Sequence, residues 1–252
     1  MFINTFMFPQ TMELSVVIPC YNEERRIETT LQRILPFLRE HTNAYEVIVV
    51  NDGSTDKTSE IVARFQHERV RLLQNSKNEG KGYSVRRGVL EANYPWILFS
   101  DADLSTPIEE LLKFRQYQGY SILIGSRALK GSVITERQPF YRVVLGKTFN
   151  KIVQLIGVYG IKDTQCGFKL FQSSAAKDIF RRQTLHGFSF DVEILYLAKR
   201  LGYGVKEVPV VWKNSPESKV NTFKEPWMML KDIMVMRMRH RELCKMSKNG
   251  VF

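Results

Sequence analysis

The stretch Trp96-Ile97-Leu98-Phe99-Ser100-Asp101-Ala102-Asp103-Leu104-Ser105-Thr106-Pro107 runs from four apolar residues straight into two carboxylates one residue apart. Such a run reads as a buried strand that ends at a charged site. Thr106-Pro107-Ile108-Glu109 has the spacing of a capping box with proline at the first helical position, which predicts a helix from this turn through Gln118. Two carboxylates this close repel each other unless something cationic lies between them. Hard divalent ions take oxygen ligands, with substrate phosphates completing the shell. Asp101 and Asp103 are therefore candidate metal ligands, and the alternative is a solvated acidic turn. Their place at the carboxyl end of a strand, where open α/β sheets bind ligands, favours the site.

Working outward, the same strand, polar turn and helix pattern recurs. Leu14 to Pro19 is an apolar run, followed by a turn at Cys20-Tyr21-Asn22-Glu23-Glu24 and a helix that carries Ile27, Leu31, Ile34, Leu35 and Leu38, with Asn22 as its cap. Tyr45 to Val50 is a second buried strand and ends in Asn51-Asp52-Gly53-Ser54-Thr55-Asp56. A helix over Asp56 to His67, a strand over Val70 to Leu73 and a helix over Gly80 to Ala92 lead back to Trp96. Strands alternating with helices predict a mainly parallel, doubly wound α/β sheet with flanking helices and its site at the strands' carboxyl ends. Asp52 either accepts hydrogen bonds from a base or ribose or forms a turn with Gly53. Gly80-Lys81-Gly82 lacks the spacing of a phosphate loop, and the chain has no glycine triplet of the dinucleotide type. Lys81 either reaches a diphosphate or begins a solvated helix face.

Composition narrows the class of partner. The 252 residues are 44% apolar and 12% aromatic, enough for a full core, and the net charge of +11 calls for an anionic partner. The excess collects in two zones, Arg127 to Lys151 and Lys213 to Phe252, each with a net charge of +5. Neither is the uninterrupted basic helix or arm of a nucleic-acid binder, so no nucleic acid is expected. Cys20, Cys166 and Cys244 give neither a disulfide framework nor a zinc spacing, which fits a reducing compartment. No apolar run reaches the roughly 18 residues of a bilayer span.

In the second half, Ser121 to Gly125, Phe168 to Phe171 and Val205 to Val211 read as strands, with helices over Tyr141 to Gly157 and Asp191 to Leu201. Asp191 and Glu193 are cap residues, or else Asp191 orients an arginine. His41, His67, His186 and His240 are scattered and read as structural or surface residues.

The runs Ser15 to Glu24, Asn51 to Asp56 and Ser100-Asp101-Ala102-Asp103-Leu104 resemble family 2 glycosyltransferases of the GT-A fold. Gly125-Ser126-Arg127, Asp163 to Phe171 and Gly187 to Glu193 are similar to the branch that makes dolichyl- or polyprenyl-phosphate sugars, and the likeness runs from about Ser15 to about Asn221. The resemblance implies that Pro19, Tyr21, Glu23, Val50 and Asp52 enclose the base and ribose of a nucleotide-sugar donor, with Lys81 and Ala102 among the donor-binding positions. It places Mg²⁺ or Mn²⁺ on Asp101 and Asp103. Arg127, Arg142 and Lys219 match positions that touch the donor and acceptor phosphates, and Asp103 and Arg127 are the implied catalytic residues. Mannosyl members carry glutamine two residues after the second metal aspartate. Here that residue is Ser105, a shorter candidate ligand.

The expected reaction is inverting transfer of a hexose, with the later motifs favouring UDP-glucose over GDP-mannose, to a dolichyl or polyprenyl monophosphate in a membrane. The alternatives are a family 2 enzyme with a non-lipid acceptor and a non-enzymatic basic membrane-surface or nucleic-acid module. Three segments are expected: a loose tail over 1–13, a catalytic domain over 14–221 and a basic amphipathic helix and tail over 222–252. The residues before Leu14 lack the basic leader of a secretory signal. The methionine-rich segment from Phe223 to His240 lies on an anionic membrane, covers the core or packs on a second protein or a second copy. A membrane acceptor favours the first, and with it a peripheral location on the cytoplasmic membrane face.

Overall fold

The structure, a computed structural model, describes residues 12–135, 158–214 and 225–242. Arg142, Lys219 and the helix expected over Tyr141 to Gly157 lie outside the described residues, as does most of the expected N-terminal tail.

The apolar runs form strands β1 (Glu13–Cys20), β2 (Ala44–Asn51), β3 (Val70–Gln74), β4 (Trp96–Ser100) and β5 (Ile122–Ser126), followed by a short β6 (Val133–Ile134). After them come β7 (Phe168–Gln172), β8 (Val205–Pro209) and β9 (Val211–Trp212). Seven of these form one sheet in the order β3-β2-β1-β4-β7-β5-β8, while β6 and β9 pair separately. Neighbours run parallel except that β7 lies antiparallel between β4 and β5. The expectation of a mainly parallel sheet is met, with this inserted strand as its exception.

Both faces of the sheet are covered, which is why its central strands are apolar without alternation. Leu14, Val16 and Ile18 face one layer, built on α1 (Ile27–His41). Val17 faces the other, built on α3 (Lys81–Leu90), α5 (Ser173–Arg182) and α6 (Phe190–Arg200). α2 (Thr58–Ala63) follows β2, and α7 (Glu225–Arg239) packs on α6.

Several expected elements differ. The helix after β2 stops at Ala63 and gives way to a 3₁₀ turn over Gln66–Glu68. The helix expected through Gln118 is a 3₁₀ turn, Ile108–Glu110, leading into the single turn α4 (Leu111–Phe114). Its capping box does not form: the Thr106 hydroxyl meets the Cys166 thiol, and Glu109 accepts hydrogen bonds from Arg33. Asn22 is not the cap of α1 either. It sits at φ 52°, and its side-chain oxygen accepts the Thr55 amide, tying the loop after β1 to the loop after β2.

Candidate functional site

The carboxyl ends of β1, β2 and β4 lie side by side, with Pro19 opposite Val50 and Cys20 opposite Asn51 in the β1–β2 register. This brings the Tyr21-Asn22-Glu23 turn, Asp52 and the Asp101-Ala102-Asp103 turn to one edge. The acidic turn is tightly built. Leu104 holds φ 46° directly after Asp103, a left-handed conformation uncommon for leucine, and the Ser105 amide donates to Asp103 Oδ1 at 2.9 Å. Ala102 is buried, and its carbonyl accepts the Thr30 hydroxyl at 2.5 Å.

Asp101 is clamped from two sides. Its amide donates to the Gly167 carbonyl at 3.0 Å, and its carboxylate lies so close to Gly167 that a Cβ there would fall 1.9 Å from Oδ2. Lys81 Nζ lies 2.7 Å from Asp101 Oδ1. The lysine read as either a phosphate contact or a solvated face is thus the cation beside the acid pair. Burial works against its charge, but Asp101, Asp191 and Asp103 outweigh that and raise its pKa above the ordinary lysine value.

Behind this pair lies a second one. Lys169, on β7, and Asp191, at the start of α6, are both buried and ion-paired, and Lys169 also donates to the Cys166 carbonyl at 2.7 Å. Burial drives the Asp191 carboxyl above the usual carboxylate range, even with Lys169 and Lys81 pulling it down. Among the described residues Asp191 therefore neither caps α6 nor pairs with an arginine, and its partner is Lys169. Glu193 accepts the amides of Thr184 and Leu185 and a hydrogen bond with His240, so it ties the loop before α6 to the C-terminal helix.

Arg127, at the end of β5, meets Asp163 in a two-pronged pair. Nε donates to Oδ2 at 2.7 Å and one Nη to Oδ1 at 2.8 Å, with the guanidinium over the Trp212 ring. The partner of its fork is therefore a carboxylate of its own chain. Burial raises the Asp163 carboxyl, but Arg127 more than offsets this and holds it below the usual range. Glu207 accepts the Lys162 and Asp163 amides at 2.9 Å each, so the Lys162–Gly167 loop is pinned to β8. Burial pushes the Cys166 thiol up to about 11, which leaves it inert as a nucleophile near neutral pH.

The other residues expected on the donor side are also held by their own chain. Asp52 is buried and accepts from the Asn75 amide group and the Glu79 and Gly80 backbone amides at 2.7–3.0 Å, so it shapes the loop that delivers Lys81. Val50 is buried in the layer with α3, Pro19 is buried, and Tyr21 is 36% exposed. The Glu23 carboxylate is paired with Arg26. Ser105 enters through its backbone, its amide on Asp103 and its carbonyl accepting from Lys213.

Asp163, Gly167 and Lys169 all lie in the run Asp163 to Phe171, whose letters by themselves give none of the three a partner. One signal was present. Lys169 stands inside the apolar run Phe168 to Phe171, and a charge in a buried strand requires a buried counter-charge.

Among the described residues no group of three or more His, Cys, Asp or Glu gathers around one point. Asp101 and Asp103 offer only carboxylate oxygens. That set fits a hard divalent ion whose remaining positions are filled by diphosphate oxygens and water.

Residues 15–180 match the model of Glycosyl transferase family 2. The dolichyl-phosphate beta-glucosyltransferase of Dictyostelium discoideum is 37% identical over 90% of this chain and 74% of its own length. The Drosophila melanogaster protein of the same name is also 37% identical, over 94% of this chain and 80% of its own length. Glucosyl-3-phosphoglycerate synthase from Mycobacterium tuberculosis, crystallised with Mn²⁺ and UDP-glucose, superposes with a TM-score of 0.60 at 17% identity. That match covers 90% of this chain and 79% of that one.

Proposed function

Because this chain belongs to glycosyl transferase family 2, we propose that it moves a glucosyl residue from UDP-glucose to dolichyl phosphate or a related polyprenyl phosphate, giving a β-linked lipid-phosphate sugar. The observation that carries the proposal is the Asp101/Asp103 pair at the carboxyl end of β4, facing a lysine and lying beside the turns after β1 and β2. The names of the relatives support the sugar and the lipid. The Mn²⁺ and UDP-glucose held by the structural neighbour support the donor and the class of metal.

In this reading Asp101 and Asp103 hold Mg²⁺ or Mn²⁺, which when bound stabilises negative charge on the departing diphosphate as a Lewis acid. Asp103 is oriented by the Ser105 amide, and Asp101 by Gly167. Tyr21, Glu23 and Asp52 form the edge against which base and ribose lie, Asp52 by fixing the loop as well as by any contact of its own. Arg127, fixed by Asp163, presents its remaining guanidinium donors to a phosphate. Arg142 and Lys219 are proposed to join it. A phosphate monoester has a second pKa of about 6 and reaches the anomeric carbon already ionised, so no strong general base is required. Direct displacement inverts an α-linked donor to a β-linked product.

α7 supports a membrane-surface location. Met229, Ile233 and Met236 are buried against the core, while Met234 and Met238 stand exposed at 54% and 72% beside exposed Arg237, Arg239 and Arg241. The helix thus covers the core with one face and offers an apolar and basic face outward. Among the described residues no helix is long and apolar enough to cross a membrane. Among the described residues neither Cys20 nor Cys166 is part of a disulfide, which fits the cytoplasmic side.

The test is transfer of label from UDP-glucose or GDP-mannose to dolichyl phosphate, and to free sugars and polysaccharide. Glucosylation of the lipid with loss of activity in Asp103→Asn supports the proposal. Transfer only to hydroxyl acceptors, or only from GDP-mannose, rejects it.

A further inference from the structure

The cation beside Asp101 is part of the protein, and its position is fixed by more than one salt bridge. Lys81 begins α3, and the next residue, Gly82, is packed so closely that a Cβ there would fall 2.6 Å from Phe190 Cβ and 2.7 Å from the Leu185 carbonyl oxygen. The first turn of the helix therefore cannot slide or tilt without breaking its contact with α6. From that anchor the ammonium lies over the rings of Phe99 and Phe188, 5.3 and 5.9 Å from their centroids, and ends 2.7 Å from Asp101 Oδ1. The buried Asp191–Lys169 pair stands behind it. Asp101 and Lys81 are only 30% and 22% exposed, so water screens their attraction weakly.

Lys81 and a divalent ion thus compete for the same carboxylate. One negative charge cannot fully serve an ammonium and a dication together, so the lysine weakens the acid pair as a metal site. A nucleotide diphosphate changes the balance by bringing negative charge for both cations. The lysine stem is flexible while its Cα is fixed. We propose that Lys81 is a built-in counterion that suppresses metal binding at Asp101/Asp103 until a nucleotide diphosphate arrives, and then transfers to the diphosphate, so that metal and donor bind as a coupled pair. The proposal rests on reading Asp101 and Asp103 as the metal pair. Because linkage is reciprocal, the same residue sets how strongly the metal tightens the nucleotide.

The experiment measures free Mn²⁺ by electron paramagnetic resonance during titration of the full chain, with and without UDP and corrected for the Mn²⁺–UDP complex. Wild type, Lys81→Met, Lys81→Gln and Asp101→Asn are compared after circular dichroism shows them folded. In wild type, UDP is expected to tighten Mn²⁺ binding by about tenfold or more. Lys81→Met and Lys81→Gln should bind Mn²⁺ alone about fivefold more tightly than wild type, and their UDP-dependent gain should shrink by a similar factor. A structural role for Lys81 would instead weaken Mn²⁺ binding in both variants. Unchanged or weaker binding of Mn²⁺ alone in the folded lysine variant, or an unchanged UDP gain, overturns the inference while leaving the metal site intact. Equal Mn²⁺ binding by Asp101→Asn and wild type overturns the metal reading, and the inference with it.

Discussion

Gly167 has no room for a side chain, because a Cβ would fall 1.9 Å from Asp101 Oδ2. Gly167→Ala is therefore expected to leave the fold intact but displace the carboxylate. Since misplacing a reacting group by about 1 Å costs on the order of a hundredfold, kcat/KM for lipid glucosylation should fall by about that factor. Activity near wild type would show that the displacement does not matter. The neighbouring Lys169 makes a stability prediction. Lys169→Met leaves Asp191 buried without its cation and should cost about 3–5 kcal/mol in urea unfolding, most of it recovered when Asp191→Leu is added. Additive losses in the double variant would contradict the pairing. At this scale the sequence showed the acids at Asp101 and Asp103, because a strand ending in two carboxylates is a local pattern. Lys81 and Gly167 were not legible as their neighbours, nor Asp163 as the partner of Arg127. Lys81 arrives from α3 and the other two from the loop before β7, and which of these segments meet is set by strand order.

Elements show the same division between local and distant causes. The parallel strands and α1, α3 and α6 follow from apolar periodicity, and the structure places them within a few residues of the expectation. β7 runs antiparallel, and nothing in Phe168 to Gln172 encodes its direction. The helix after the acidic turn failed because both halves of its capping box are claimed by distant residues, Arg33 and Cys166. In α7 the two faces can be separated. Ile233 is fully buried, so Ile233→Ala should cost about 2–5 kcal/mol, whereas Met238→Ala on the exposed face should cost under about 0.5 kcal/mol. Flotation with anionic vesicles should weaken for Met238→Ala combined with Arg237→Gln. Undiminished flotation would contradict the membrane face.

Glu46, in β2, joins β1, β3 and the loop before β4 by accepting from Ser15, Arg71 and Asn93. Burial alone would raise its pKa, but the bonds from Arg71, Asn93 and Ser15 prevail and lower it. A folded pKa below the unfolded value of about 4.3 means that its contribution is fully present above that pH and is lost as pH falls through the folded value. Glu46→Gln should therefore flatten the acid limb of the stability profile below about pH 4.3. An acid limb as steep as wild type would contradict this.

For the whole molecule, the sheet gathers the turns after β1, β2 and β4 at one edge, and the two basic zones of the sequence supply a charge of the sign that phosphates require. Composition predicts an anionic partner, and the strand–helix alternation puts the expected site at the carboxyl ends of the strands. In the proposed function Asp101 and Asp103 hold a divalent ion against the donor diphosphate. A crystal structure of the full chain with Mn²⁺ and UDP, phased to reveal anomalous manganese, tests it most directly. Manganese is expected at the Asp101 and Asp103 carboxylates, in contact with the diphosphate. Bound UDP with no metal at that pair, and Asp101 still joined to Lys81, would contradict it.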